Sequence, residues 1–243
     1  MSQIGDTLAF HLSRFGELPE ADAQAVRRLD GEVRRVDRHQ DVLSDGEQPT
    51  HAVVVLEGFL FRYTMGRQGV RQVHSFYLPT EAPSLETIYM DYMDNSLATA
   101  VDSRVGFVPL ERLYQLIDNF PGARKLLWRQ TLVQGGIFRE WLIRNSNRTA
   151  HGAVAHLFCE MFARADAAGL AEGNTCPMPV TQELIGQALG LSVVHVNRTL
   201  QLLREAGLVD LRGGILSILD RERLWDAADF DPRYLHLKTT SRD

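Results

Sequence analysis

The side chains best equipped for chemistry lie close together, between Thr181 and Arg198. Arg198 offers a planar fork of donors that matches the two acceptors on a guanine edge, and Asn197 carries the donor–acceptor pair that suits adenine. Val193 and Val194 supply methyl groups for contact with thymine methyls. Gln182 and His195 are suited to phosphate oxygens, contacts that set register and carry no sequence information. In a helix beginning near Ser192, the side chains of Val196, Thr199, Leu200 and Leu203 follow one face. Val193, Val194, Asn197 and Arg198 share the opposite face, with His195 at its edge. Such a face is built to enter a DNA major groove.

The elements that must hold this face are legible around it. Thr181 is placed to cap a first helix, Gly190 to end it in a left-handed turn, and Ser192 to cap the second. Two short helices joined by a tight glycine turn form a helix-turn-helix, whose alternative reading is a purely structural helical pair. Downstream, Gly207–Ile218 places Gly213-Gly214 between two apolar strands, the pattern of a β-hairpin wing. Upstream, His151 to Ala168 reads as a helix ended by Gly169.

A proline-free stretch after Phe120-Pro121 predicts a long helix, with Pro121 at its first position. Its apolar residues, among them Leu127, Trp128, Phe138 and Trp141, occupy more than one stripe. Cover on two sides is therefore expected, one side a partner chain; a buried core helix fits the same pattern. With Gln134 these four form the expected dimer contact. Gly135-Gly136 in mid-helix predicts close approach by a helix or a ligand. Ahead of it, apolar runs such as 52–56 and 58–63 alternate with Gly- and Pro-containing turns at spacings of about ten residues, the pattern of a small barrel or jelly roll. A helix over Thr7–Phe15 precedes them. The fold expected is α+β: a β-roll over 1–120, a dimerisation helix over 121–147 and a winged helix-turn-helix over 148–243.

Composition narrows the function. In 243 residues, a net charge of −5 is not that of a protein that coats nucleic acid, yet it permits a local reading surface. Two cysteines, Cys159 and Cys176, exclude a disulfide framework, a four-cysteine iron–sulfur cluster and a thiolate zinc knuckle. Cys159 reads as a small core residue; Cys176, in an apparent loop, is the better target for oxidation. No apolar run reaches the roughly 20 residues of a membrane span, and residues 1–6 lack a signal-peptide layout, so the cytoplasm is expected and no membrane partner. The eight histidines are scattered singly, and no nucleophile elbow, phosphate loop or paired metal-ligand motif is present. An enzyme and a bound cofactor are therefore not expected.

On these residues the chain resembles the Crp/Fnr family of bacterial transcription regulators. The likeness is strongest in 181–203 and 207–218, and in the Leu113–Ile117 and Phe120-Pro121 entry to the long helix. It implies a cyclic-nucleotide-binding-like β-roll, a two-fold dimer, a pseudo-palindromic operator in double-stranded DNA, RNA polymerase as a partner and room for a small-molecule effector. Departures matter as much. Cyclic-nucleotide members of the family hold phosphate with a Gly-Glu pair and a later Arg-Ser pair. Here 72–103 contains Glu81, Glu86, Asp91, Asp94 and Asp102 but no Lys or Arg, the wrong sign for a phosphate diester. The N-terminal cysteine cluster of the oxygen-sensing branch is also missing, and a lone His74 is weak support for haem. Family readers have Arg and Glu where Val193 and Val194 stand, while Arg198 matches a later family Arg. The expected operator keeps a guanine under Arg198 and departs from the family's at the base pairs under the valines. The alternative function is a ligand-binding or protein-interaction β-roll whose helix-turn-helix no longer reads DNA.

Overall fold

The computed structural model describes residues 2–67, 69–147 and 149–237. The chain divides into two compact units, 1–64 with 75–135 and 65–74 with 136–243, the division falling inside the long helix.

The first unit opens with helix α1, Gln3–Ser13, whose Ser2 hydroxyl accepts from the Gly5 amide. Ile4, Leu8 and Leu12 recur every four residues and form its buried stripe. The start lies four residues before the predicted Thr7, because Ser2 supplies the cap. A second helix, α2 over Glu20–Arg27, is one the sequence reading did not include.

Seven strands follow: β1 Glu32–Val36, β2 Asp41–Leu43, β3 His51–Glu57, β4 Leu60–Met65, β5 Arg71–Tyr77, β6 Ser96–Thr99 and β7 Ser103–Pro109. They make two sheets, ordered β1-β7-β3 and β2-β6-β4-β5. Strand β3 explains its own continuous apolar run. Ala52, Val54 and Leu56 enter a core shared with Leu8, Leu12, Leu113 and Leu116 of the helices. Val53 and Val55 turn the other way, into a core with Leu60, Tyr77, Leu97 and Val105 inside the roll. Alternate residues of one strand thus serve two cores.

Between β5 and β6 runs a 3₁₀ turn, Leu85–Tyr89. Helix α3, Leu110–Asn119, leads to the long helix α4, Pro121–Asn147, of 27 residues. Asp22 accepts from the Ala123 amide at 2.8 Å and so satisfies one of the orphan donors at the start of α4.

In the second unit, α5 (Ala150–Ala167) begins at a Thr149 cap and is buried on nearly every side. Strand β8, Thr175–Pro177, precedes α6 (Gln182–Leu189) and α7 (Val193–Glu205). Strands β9 (Val209–Arg212) and β10 (Ile215–Ile218) form the hairpin. Its turn residues Gly213 and Gly214 have φ of 58° and 77°, the left-handed values a two-residue hairpin turn of this kind requires. Strand β8 completes the sheet in the order β8-β10-β9. Cys176 therefore lies in a strand opposite Leu216, and not in a loop as the sequence reading had it. Helix α8, Arg221–Ala228, and a 3₁₀ turn, Pro232–Leu235, end the described chain.

A buried polar cluster ties α4 to the C-terminal segment within this unit. The Glu160 carboxylate accepts from the Trp141 indole at 3.0 and 3.1 Å, the Tyr234 hydroxyl at 2.8 Å and the Arg164 guanidinium at 3.2 Å. His156, also buried, lies 3.2 Å from Glu140 and stacks on the Tyr234 ring. At Gly136 an added Cβ would lie 3.4 Å from the Tyr234 carbonyl oxygen, an ordinary van der Waals contact, so this neighbour does not by itself require glycine. Among the described residues, no helix is long and apolar enough to cross a membrane and no group of three or more His, Cys, Asp or Glu is placed to hold a metal ion.

Candidate nucleic-acid interface

The turn between α6 and α7 is made by three local devices. The Thr181 hydroxyl accepts from Leu184 and the Ser192 hydroxyl from His195, each at 3.2 Å, so both helices start on a side-chain cap. Gly190 ends α6 with φ of 67°. The Leu191 amide then donates back to the Gly186 carbonyl at 3.0 Å. A Cβ on Gly186 would stand 2.5 Å from the Leu191 carbonyl oxygen, so the two helices meet this closely only over glycine.

This geometry sorts α7 by face. Val196, Thr199, Leu200 and Leu203 are buried, while Val193, Val194, His195, Asn197 and Arg198 are exposed. Val194 is 80% exposed, an unusual position for an aliphatic side chain with no DNA or protein against it. Asn197 donates to Gln182 at 3.3 Å, which couples the reading face to the start of α6. The oxygens of Thr181 and Ser192 serve as caps, which leaves each hydroxyl its own hydrogen to donate.

Charge is arranged unevenly around this face. Arg204 and Arg212 both pair with Asp210, at 2.7 and 2.9 Å, and Arg223 lies 3.6 Å from Asp220. Arg198 has no side-chain hydrogen bond or ion pair among the described residues. Its guanidinium is exposed, charged and uncommitted. Arg204 and Arg212 border a cleft of about 330 Å³ between α7 and the hairpin, together with Gln182 and Asn197. The sequence reading did not single them out, since their nearness to Gln182 comes from the fold of the wing.

On α4, the residues expected at a dimer contact separate. Trp128 is 58% exposed and Phe138 is exposed at the margin, with Gln134 half-buried. Leu127 and Trp141 are corrected to interior positions. Leu127 belongs to the first unit's own core, and the Trp141 indole is consumed by Glu160. The side chains that stand out beside Trp128 and Phe138 are Leu132, Leu142 and Ile143.

The acid-rich segment 72–103 has no Lys or Arg of its own, but it is not without a cation. A cation does reach it, from β4: buried Arg62 pairs with Glu86 at 2.5 Å and donates to the Pro83 carbonyl. Burial works against the charge on Arg62, yet Tyr77 and Glu86 beside it hold its pKa above the ordinary arginine value. The guanidinium is spent on the chain's own groups. Burial, by itself, pushes the Cys176 thiol up to about 12.

Known proteins match these parts. Residues 152–227 fit the family model described as a Crp-like helix-turn-helix domain. The transcriptional activator protein FnrA of Stutzerimonas stutzeri is 25% identical over 200 residues, 81% of this chain and 82% of its own. The transcriptional activator protein FnrL of Cereibacter sphaeroides is 25% identical over 219 residues, 83% of this chain and 86% of its own. FixK2 from Bradyrhizobium japonicum has the same fold, with a TM-score of 0.75 at 22% identity over 82% of this chain and 98% of its own.

Proposed function

Given that this chain is a Crp/Fnr-type transcription regulator with a helix-turn-helix DNA-binding domain, we propose that it works as a homodimer on a pseudo-palindromic operator, with Arg198 as its principal base reader. The observation that carries this reading is the unpaired Arg198 on the exposed face of α7, where Arg204, Arg212 and Arg223 are all paired. An uncommitted guanidinium in that position can form two hydrogen bonds to guanine without first breaking an ion pair. Val193 and Val194 then favour thymine methyls, and Gln182, held by Asn197, suits a phosphate.

The dimer reading rests on α4. Positions 128, 131, 135, 138 and 142 are spaced three and four apart, the a and d positions of a heptad. They hold Trp128, Thr131, Gly135, Phe138 and Leu142, and Leu142 is 71% exposed. Gly135 at the centre allows two helices to approach closely. A two-fold pair on this seam would set two copies of α7 about 34 Å apart, one turn of DNA.

The β-roll is read as a sensor that does not take cyclic nucleotides. Arg62 is answered by Glu86, so a phosphate diester would have to break a buried ion pair to gain a cation. The relatives named transcriptional activators extend the reading to RNA polymerase as the partner at a promoter, in the cytoplasm. The test is fluorescence anisotropy with duplexes chosen from a random pool, alongside sedimentation at micromolar protein. Dimeric protein and a loss of about 5- to 150-fold in specific affinity for Arg198→Ala are expected, equivalent to about 1–3 kcal/mol. A monomer, or unchanged specificity in the variant, would overturn the reading.

A further inference from the structure

The first unit holds a groove of about 560 Å³ between the 3₁₀ turn Leu85–Tyr89 and the first half of α4. Its floor is apolar, made by Leu85, Ile88, Ile117 and Leu127, with Met90 and Trp128 as walls. The turn is held rigidly: the Tyr114 hydroxyl donates to the Ile88 carbonyl at 2.9 Å and Thr87 to the Ser84 carbonyl at 2.7 Å. The size lies within the range of about 300–1,000 Å³ common for small-molecule sites, which are mostly apolar with a few convergent polar groups.

Charge selects the occupant. Three charged residues besides the apolar lining border the groove: Glu86, Arg124 and Lys125. Glu86 is neutralised by Arg62 at 2.5 Å. Arg124 and Lys125 have no side-chain hydrogen bond or ion pair among the described residues. An apolar slot with two uncompensated cations at its rim is complementary to a molecule with an apolar body and one anionic head.

We propose that this groove is a binding site for an apolar monocarboxylate, its hydrocarbon body on Leu85, Ile88 and Ile117 and its carboxylate at Arg124 and Lys125. This deepens the regulator reading above, because Trp128 belongs both to the groove wall and to the exposed seam of α4. A ligand seated here bears directly on the side chain that the dimer reading places at the start of the seam.

The experiment is calorimetry on the full chain with octanoate, and with octanamide as the same body without the charge. Saturable octanoate binding is expected, at least tenfold tighter than octanamide. Arg124→Gln with Lys125→Gln should remove that preference while leaving octanamide unchanged; both positions are exposed, so the fold tolerates the change. Ile88→Trp, which fills the slot, should weaken both. Absence of saturable binding up to millimolar octanoate would overturn the proposal, as would equal affinity for the two probes. Binding only by a monomeric Leu142→Asp variant would overturn it too, since a second copy of the chain would then occupy the groove. None of these readouts involves DNA, so they fail or succeed independently of the operator reading.

Discussion

Replacing Glu160 by glutamine changes one atom type and removes one charge, in a place where both matter. The carboxylate is fully buried and accepts from Trp141, Tyr234 and Arg164. A glutamine there has a single acceptor oxygen, and its NH₂ group faces donors. More important, the carboxylate charge facing buried Arg164 is removed. Breaking a buried ion pair by removing one partner costs about 3–5 kcal/mol. Tyr234→Phe removes one neutral donor from a carboxylate that keeps those of Trp141 and Arg164, and should cost about 1 kcal/mol. Exchanging both Glu160 and Arg164 for methionine removes the charges together and should restore much of the loss. Urea titration followed by far-ultraviolet circular dichroism at fixed protein concentration orders the three variants. Glu160→Gln as the most stable of the three, or within 1 kcal/mol of the parent chain, would refute the claim that ionic pairing holds α4, α5 and the C-terminal segment together within the second unit.

Other outcomes follow from single features. With its pKa at about 12 against an ordinary 9, folded Cys176 should hold roughly a thousandfold less thiolate at pH 8 and resist iodoacetamide until the chain unfolds. The same shift has a sign in stability: the folded state binds the proton more tightly, so its contribution is full below pH 9 and is lost as pH rises from 9 toward 12. Cys176→Ala should flatten that part of the stability profile. Gly186→Ala drives a Cβ against the Leu191 carbonyl and should cost about 1–3 kcal/mol in a thermal melt, with weakened DNA binding. Leu142→Asp puts a charge on the exposed seam of α4, and sedimentation should then give a monomer.

The helix-turn-helix was the most legible part of the chain because its determinants are local. Thr181, Gly190 and Ser192 act within four residues of themselves, and the 3.6-residue period alone separates Val196, Thr199, Leu200 and Leu203 from the outward face. The long helix was legible as an element and less so as a surface. Leu127, Trp128, Phe138 and Trp141 are equally apolar, and only the position of Glu160 and the first core decides that two of them turn inward. Arg62 escaped notice for a related reason: its partner Glu86 is 24 residues away, across β4 and the segment after β5. The three residues of β8 carry no alternation and become a strand only by pairing with β10. Helix α8 follows an Asp220 cap, a signal present in the sequence.

In the proposed function, α7 reads DNA through Arg198 from a two-fold dimer. Selection of bound duplexes from a random pool by the full chain, repeated with Arg198→Ala, tests it most directly. The expected result is an inverted repeat with half-sites about one helical turn apart, a guanine in each half-site that the variant no longer selects, and thymines beside it that the variant still does. Enrichment of a single unpaired half-site, or the same guanine preference in both proteins, would contradict it.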